Sequence, residues 1–206
     1  MVIACNTASA FALPAMRERF GELPVIGVVE PGAAAACRAT RNQRIAVIGT
    51  EATIRGGAYQ QAIQRLLPEA TVRAQPAQLL VALAEEGWTD GDVALAAARR
   101  YLTPLFSMPA APDTLVLGCT HFPMLLMPIR ATLQSEVAIV DSALTTAVAV
   151  REQLAAGESC REPRITGAAS PPTVFLATDG VERFARVGAR FLTQPIAAAD
   201  VELVDL

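Results

Sequence analysis

Short apolar, β-branched runs alternate along the chain with longer Ala-, Leu- and Arg-rich segments of helical period. Val2-Ile3-Ala4 reads as a buried strand entering a turn at Cys5-Asn6-Thr7, with a helix to about Phe20 behind it. Pro24 to Val29 reads as the next strand; Glu30-Pro31-Gly32 breaks it, and an Ala-rich helix follows. Arg44 to Gly49 is the clearest strand and leads into one helix through about Leu67. A strand near Thr71 to Ala74, helices over about Ala77 to Glu86 and Asp90 to Phe106, and a buried strand from Thr114 to Gly118 come next. Phe122 to Gln134 reads as helical, Val137 to Val140 as a short strand, and the segment to about Ala155 as a helix. Residues 157–172 are loop-like in their Gly, Ser and Pro content. Thr173 to Ala177 is a late strand, Val181 to Leu192 a helix, and the rest a tail.

Strands separated by helical segments of this length predict an α/β fold built of βαβ units, with parallel sheets flanked by helices. The strands are apolar almost throughout, as expected where both faces are covered. In such sheets ligands collect at the carboxyl ends of strands. Cys5 and Cys119 both fall there, which gives the two turns a claim on function.

Composition narrows the chemistry. The 206 residues carry a net charge of −3, so no basic field draws a nucleic-acid backbone. All 17 basic residues are Arg; without Lys there is no Schiff-base or phosphate-loop lysine. The single histidine, His121, rules out a multi-His metal site and must serve in any Cys-His pair. Cys5, Cys37, Cys119 and Cys160 show no Cys-x-x-Cys spacing, which disfavours a zinc ribbon or a paired-thiol oxidoreductase; free thiols in the cytoplasm are the expectation. No stretch approaches the roughly 20 apolar residues of a membrane span, and the apolar start lacks the basic region of a signal peptide.

The two turns read Val2-Ile3-Ala4-Cys5-Asn6-Thr7-Ala8-Ser9 and Leu117-Gly118-Cys119-Thr120-His121-Phe122-Pro123. Each places Cys at a strand tip, a hydroxyl within two residues, and a helix after it. One cysteine after a strand more often fills a core. Two in matched turns point to two similar halves, each offering a thiol. A thiol just before a helix N-terminus has its thiolate stabilised by the helix dipole. Two acid/base groups on opposite faces of a carbon can remove a proton from one side and return one on the other, inverting the stereocentre without metal, cofactor or Lys. Helix N-termini with Asn6, Thr7 and Thr120 would hold a substrate carboxylate.

These segments resemble the two signature motifs of cofactor-independent glutamate racemase, in the aspartate/glutamate racemase superfamily. Between them, Val25-Ile26-Gly27-Val28 with Glu30-Pro31 resembles the family's crossover between lobes. Ile48-Gly49-Thr50 with Thr53 and Tyr59 resembles its Gly-Thr segment, with Ala52 where Gly is usual, and Val140-Asp141-Ser142-Ala143 resembles the strand end returning to the first lobe. The resemblance spans essentially the whole chain. It implies Cys5 and Cys119 as the catalytic acid/bases, with the Cys5-type thiol taking the proton from D-glutamate and the Cys119-type thiol from L-glutamate. It implies Asn6, Thr7, Thr120 and His121 as substrate-binding residues, with His121 also assisting its neighbouring thiol, and Glu85 as an acidic support for that histidine. Arg55, Arg99 and Arg100 are candidates for a side-chain carboxylate, against the commoner surface role. Cys37 and Cys160 match no motif and are read as structural.

The resemblance further implies two lobes, a discontinuous first lobe of residues 1–30 with 143–206 and a second lobe of residues 31–142. It implies glutamate as the small-molecule substrate, no cofactor and no metal, no nucleic-acid or membrane partner, a homodimer as commonly formed in the family, and a cytoplasmic role supplying D-glutamate for peptidoglycan. Family members begin with an Asp-Ser-Gly turn and later carry a Pro-Tyr-Gly segment, both ahead of the first cysteine motif. Here Met1 falls one residue ahead of that strand. The first lobe is therefore expected to be truncated by two strand-helix units, and the chain to be a weak racemase or inactive. Aspartate racemase or a related superfamily isomerase, and a non-catalytic relic of the fold, are the alternatives.

Overall fold

The computed structural model describes residues 1–156 and 173–205. Contacts along the chain divide it into two compact units, Met1–Cys160 and Arg161–Leu206. The loop expectation for residues 157–172, and Cys160 within it, lie outside the described residues.

In the first unit, β1 (Val2–Ile3) runs into α1 (Asn6–Phe20), which ends at Gly21. β2 (Ile26–Gly27) pairs in parallel with β1, Val2 opposite Ile26. β2 is shorter than its apolar run because α2 (Val29–Ala39) already begins at Val29. Glu30-Pro31-Gly32, expected to separate strand from helix, forms the first turn of that helix. Pro is tolerated there because a first-turn residue needs no amide donor.

β3 (Arg44–Gly49) leads to α3 (Glu51–Gly56) and α4 (Ala58–Leu66). The sequence suggested one helix; Gly57, at φ 65°, breaks it in two. Only a residue without Cβ adopts that left-handed conformation cheaply. β4 (Thr71–Pro76), α5 (Gln78–Glu86), α6 (Gly91–Phe106) and β5 (Thr114–Gly118) follow as expected. The segment after the second cysteine turn is a 3₁₀ turn over Phe122–Leu125 and only then α7 (Leu126–Arg130), a shorter helix than the sequence suggested. β6 (Ala138–Asp141) and α8 (Ser142–Ala156) complete the unit.

The central sheet is parallel throughout, in the order β4-β3-β5-β6. Its apolar run divides by the two-residue period of a strand. Ala46, Ile48, Leu115 and Leu117 pack on one face with Leu80, Leu102 and Ile129 from α5, α6 and α7. Ile45, Val47, Val116 and Val140 pack on the other with Ala33, Tyr59 and Ile63 from α2 and α4. Burying each such Ile, Leu or Val contributes about 1.5–3 kcal/mol, so this two-faced core dominates the stability of the unit. Gly49 lies level with Gly118 in the β3–β5 register, so both strands stop together and their following turns open on one edge.

The opposite, amino-terminal end of the sheet is pinned by Asp113, just before β5. Its carboxylate accepts from Thr40 Oγ1 at 2.6 Å, from the N–H groups of Arg41 and Asn42 at 2.7 and 2.8 Å, and from Thr114 Oγ1 at 3.0 Å. Desolvation works against the charge, but these donors outweigh it and hold the carboxyl below its ordinary pKa.

The second unit contains β7 (Phe175–Ala177), α9 (Val181–Leu192) and β8 (Val201–Leu203). β8 pairs in parallel with β7, where the sequence suggested only a tail. Val201-Glu202-Leu203 had carried no strand signal by itself; the pairing with Phe175 to Ala177 supplies it. Ala177, Ala185 and Val201 form its core, with the Phe175 and Phe184 rings 6.1 Å apart. Among the described residues no helix is long and apolar enough to cross a membrane.

Candidate active site

Cys5 caps the amino end of α1, where its sulfur accepts from the Ala8 N–H at 3.5 Å. The backbone at Cys5 is extended, which turns a strand directly into a helix and leaves the side chain exposed. Cys119 follows the last residue of β5 and is buried, at 5% exposure. Thr120 Oγ1 donates to the carbonyl of Ala4 at 3.3 Å, which joins the second cysteine turn to the first.

The two thiols differ in setting. Burial pushes the Cys119 thiol up to about 11. The His121 N–H opposes the rise, the nearby Cys5 adds to it, and the Thr120 N–H opposes it. The stabilised thiolate expected from a helix N-terminus is therefore not found at Cys119. A 3₁₀ turn, not an α-helix, follows it, and desolvation outweighs the two amide donors.

His121 Nδ1 lies 3.7 Å from Cys119 Sγ, and its Nε2 lies 3.2 Å from Glu85 Oε1. Burial lowers the pKa of the imidazole, which favours the neutral ring. With Nε2–H directed at the carboxylate, Nδ1 keeps its lone pair toward the sulfur. The structure thus places Glu85 within hydrogen-bond distance of His121.

Asn6 is buried at 2% exposure, its Oδ1 accepting from Tyr59 Oη at 2.7 Å and its Nδ2 donating to Ser142 Oγ at 3.3 Å. Thr7 Oγ1 is 2.9 Å from Thr50 Oγ1 and 3.0 Å from Thr53 Oγ1, and those two hydroxyls are 2.9 Å apart. Asn6, Thr7 and Thr120 therefore flank the thiols and also tie the two turns to the rest of the fold. Ser9 Oγ donates to the Ile3 carbonyl at 2.9 Å and accepts from the Val28 N–H at 3.1 Å, fixing α1 against β1 and β2.

Arg55 is exposed and paired with Glu51 on its own helix, and Arg99 and Arg100 lie on the exposed side of α6. None of the three is brought to the thiols by a contact the structure records. Among the described residues no three His, Cys, Asp or Glu side chains are grouped to hold a metal ion. Sequence reasoning did not single out Tyr59 or Ser142 as site residues. Their signal was their place in the segments Ile48 to Tyr59 and Val140 to Ala143, which carried the resemblance without assigning either residue a role.

The arrangement resembles known proteins. The family described as Asp/Glu/Hydantoin racemase matches residues 1–150. A glutamate racemase from Geobacter metallireducens is 48% identical over 192 residues, covering 93% of this chain and 68% of that protein. A crystal structure of a glutamate racemase isoform from Bacillus anthracis superposes with a TM-score of 0.86 at 34% identity, over 100% of this chain and 73% of that one. A glutamate racemase from Francisella tularensis, solved in complex with D-glutamate, gives a TM-score of 0.86 at 29% identity, over 99% of this chain and 72% of that one.

Proposed function

Because this chain belongs to the Asp/Glu/hydantoin racemase family, we propose that it is a glutamate racemase that works by α-proton transfer between Cys5 and Cys119. The observation that carries the two-thiol reading is the joining of the two cysteine turns. Thr120 bonds to Ala4, and the two sulfurs are near enough for Cys5 to raise the pKa of Cys119.

In this reaction one sulfur, as thiolate, takes the α-proton from one face of glutamate. The electron pair left on the α-carbon spreads into the adjacent carboxylate. The opposite sulfur, as thiol, delivers its proton to the other face. The stereocentre is inverted, no atom is gained or lost, and the two sulfurs exchange protonation states. Cys5 serves D-glutamate and Cys119 serves L-glutamate in this reading. Buried Cys119 rests as the thiol, so the L-glutamate direction needs a base beside it. His121 Nδ1 at 3.7 Å is that base, oriented by Glu85.

Substrate carboxylate binds at the amino end of α1. The amides of Asn6 and Thr7 belong to its first turn, where N–H groups lack intrahelical acceptors, and the Thr7 and Thr120 hydroxyls flank them. The chemistry drawn uses no cofactor. Residues 1–30 with 143–206 as one lobe, and 31–142 as the other, belong to the same reading; its support is that β1 and β2 pair with each other, apart from the four-stranded sheet. So do a homodimer and a cytoplasmic location; free thiols at Cys5, Cys37 and Cys119 suit a reducing compartment.

The test is incubation of the purified chain with each glutamate enantiomer in heavy water. Loss of the α-proton resonance and decay of the circular dichroism, both abolished by Cys5→Ser and by Cys119→Ser, is the expected result. Absence of α-proton exchange from either enantiomer would overturn the reading. Faster turnover of D-aspartate than of D-glutamate would reassign the substrate.

A further inference from the structure

Tyr59 touches both cysteine turns. It is the second residue of α4 and is fully buried. Its ring lies against β5 at Gly118, the residue before Cys119, where an added Cβ would come within 3.1 Å of Tyr59 Cε2. On another side it lies against α2 at Gly32, where a Cβ would come within 3.1 Å of the hydroxyl oxygen. That hydroxyl donates to Oδ1 of Asn6, the residue after Cys5, at 2.7 Å. Asn6 Nδ2 in turn donates to Ser142 Oγ, at the start of α8. Asn6 and Ser142 are each 2% exposed, so bulk solvent does not reach the network to replace a lost partner.

A core position against two glycines and a sheet could be filled by Phe. Here it carries a hydroxyl aimed at the residue beside one thiol while its ring supports the residue beside the other. We propose that Tyr59 is a positioning residue for the two-thiol reaction, setting the separation and facing of the Cys5 and Cys119 turns through Asn6 and Gly118. The proposal rests on the racemase reading for its catalytic consequence, but the placement of the thiols can be read without turnover. Burial raises the phenol far above its ordinary pKa, so the hydroxyl remains a donor across the working range of such an enzyme.

The experiment uses the full chain carrying Tyr59→Phe, with Ser142→Ala as a second variant that disturbs Asn6 from its other side. Cys5, Cys37 and Cys119 are alkylated with iodoacetamide, and each rate is followed by peptide mass spectrometry. Glutamate α-proton exchange is followed in parallel. Tyr59→Phe is expected to remain folded, to alkylate several-fold faster at Cys119, and to leave Cys37 unchanged. It is expected to lower kcat by about tenfold to a hundredfold with KM altered far less, the consequence of a misplaced acid/base pair. Ser142→Ala is expected to shift the same two readouts in the same direction, to a smaller extent.

If all three cysteines accelerate together, Tyr59 merely stabilises the fold and the proposal fails. It fails equally if Cys5 and Cys119 keep their wild-type rates and pH dependence. If the wild-type chain exchanges no α-proton while Tyr59→Phe still changes Cys119 selectively, the racemase reading is lost for this chain and the positioning role stands.

Discussion

Thr120 Oγ1 donates to the Ala4 carbonyl, so the residue after one thiol holds the residue before the other. The bond closes a separation of 116 positions in the chain. Thr120→Val keeps the shape of the side chain and removes the donor. It should cost about 1 kcal/mol in urea unfolding, the usual net value of such a bond. It should also slow glutamate racemisation far more than that destabilisation implies, because the thiols lose a direct tie. Thr120→Ser should restore both, and a Thr120→Val enzyme with wild-type turnover would show the tie to be irrelevant to catalysis.

Glu85 Oε1 lies 3.2 Å from His121 Nε2, and the other ring nitrogen of His121 lies 3.7 Å from Cys119 Sγ. Glu85→Gln should lower kcat/KM by about tenfold or more through weakened base catalysis. The loss must be equal in both directions, since the equilibrium constant between enantiomers is one. The distinguishing signature is the primary isotope effect, which should rise with α-deuterated L-glutamate and remain near wild type with the D form. Equal isotope effects from both enantiomers would separate Glu85 from the Cys119 side.

Cys119 makes stability depend on alkaline pH. Its folded pKa, about 11, lies above the ordinary thiol value of 9.0. The unfolded chain therefore releases this proton first as pH rises. The stabilisation is fully present below pH 9.0 and is lost as pH climbs through about 11. The loss over that window is about 2–3 kcal/mol. Measured by denaturant melts between neutral and alkaline pH, the stability of the wild type relative to Cys119→Ala should fall by this total amount across the window. Parallel curves would mean that the thiol is solvated.

Gly118 has no room for a side chain. A Cβ there would lie 2.8 Å from the Ile48 carbonyl oxygen and 3.1 Å from Tyr59 Cε2. The first neighbour is backbone of an adjacent central strand and cannot move aside. Gly118→Ala should destabilise by about 1–3 kcal/mol or more, as overpacked cores do. Thermal unfolding checks it; an unchanged melting temperature would show that β3 and β5 can separate without cost.

Much of the fold was legible because its signals are local. Arg44 to Gly49 and Thr114 to Gly118 form strands over those same residues, since a continuous apolar run fits a strand covered on both faces. The misses have local explanations as well. A left-handed glycine at Gly57 split a helix whose apolar period ran on, and Pro31 entered a helix it was expected to precede. β8 was missed because a three-residue strand exists only through its partner.

Local sequence accounts for the alternation of strand and helix and for the placement of Cys5 and Cys119 at two strand tips. Both follow from hydrophobic period and turn chemistry within a few residues. Tertiary structure alone decided that Cys119 is buried and Cys5 exposed, that Glu85 reaches His121, and that Tyr59 spans 53 positions to bond Asn6. Those facts depend on which strands become neighbours and how helices pack over them. Desolvation and hydrogen bonding act across distances in space that the order of residues does not contain.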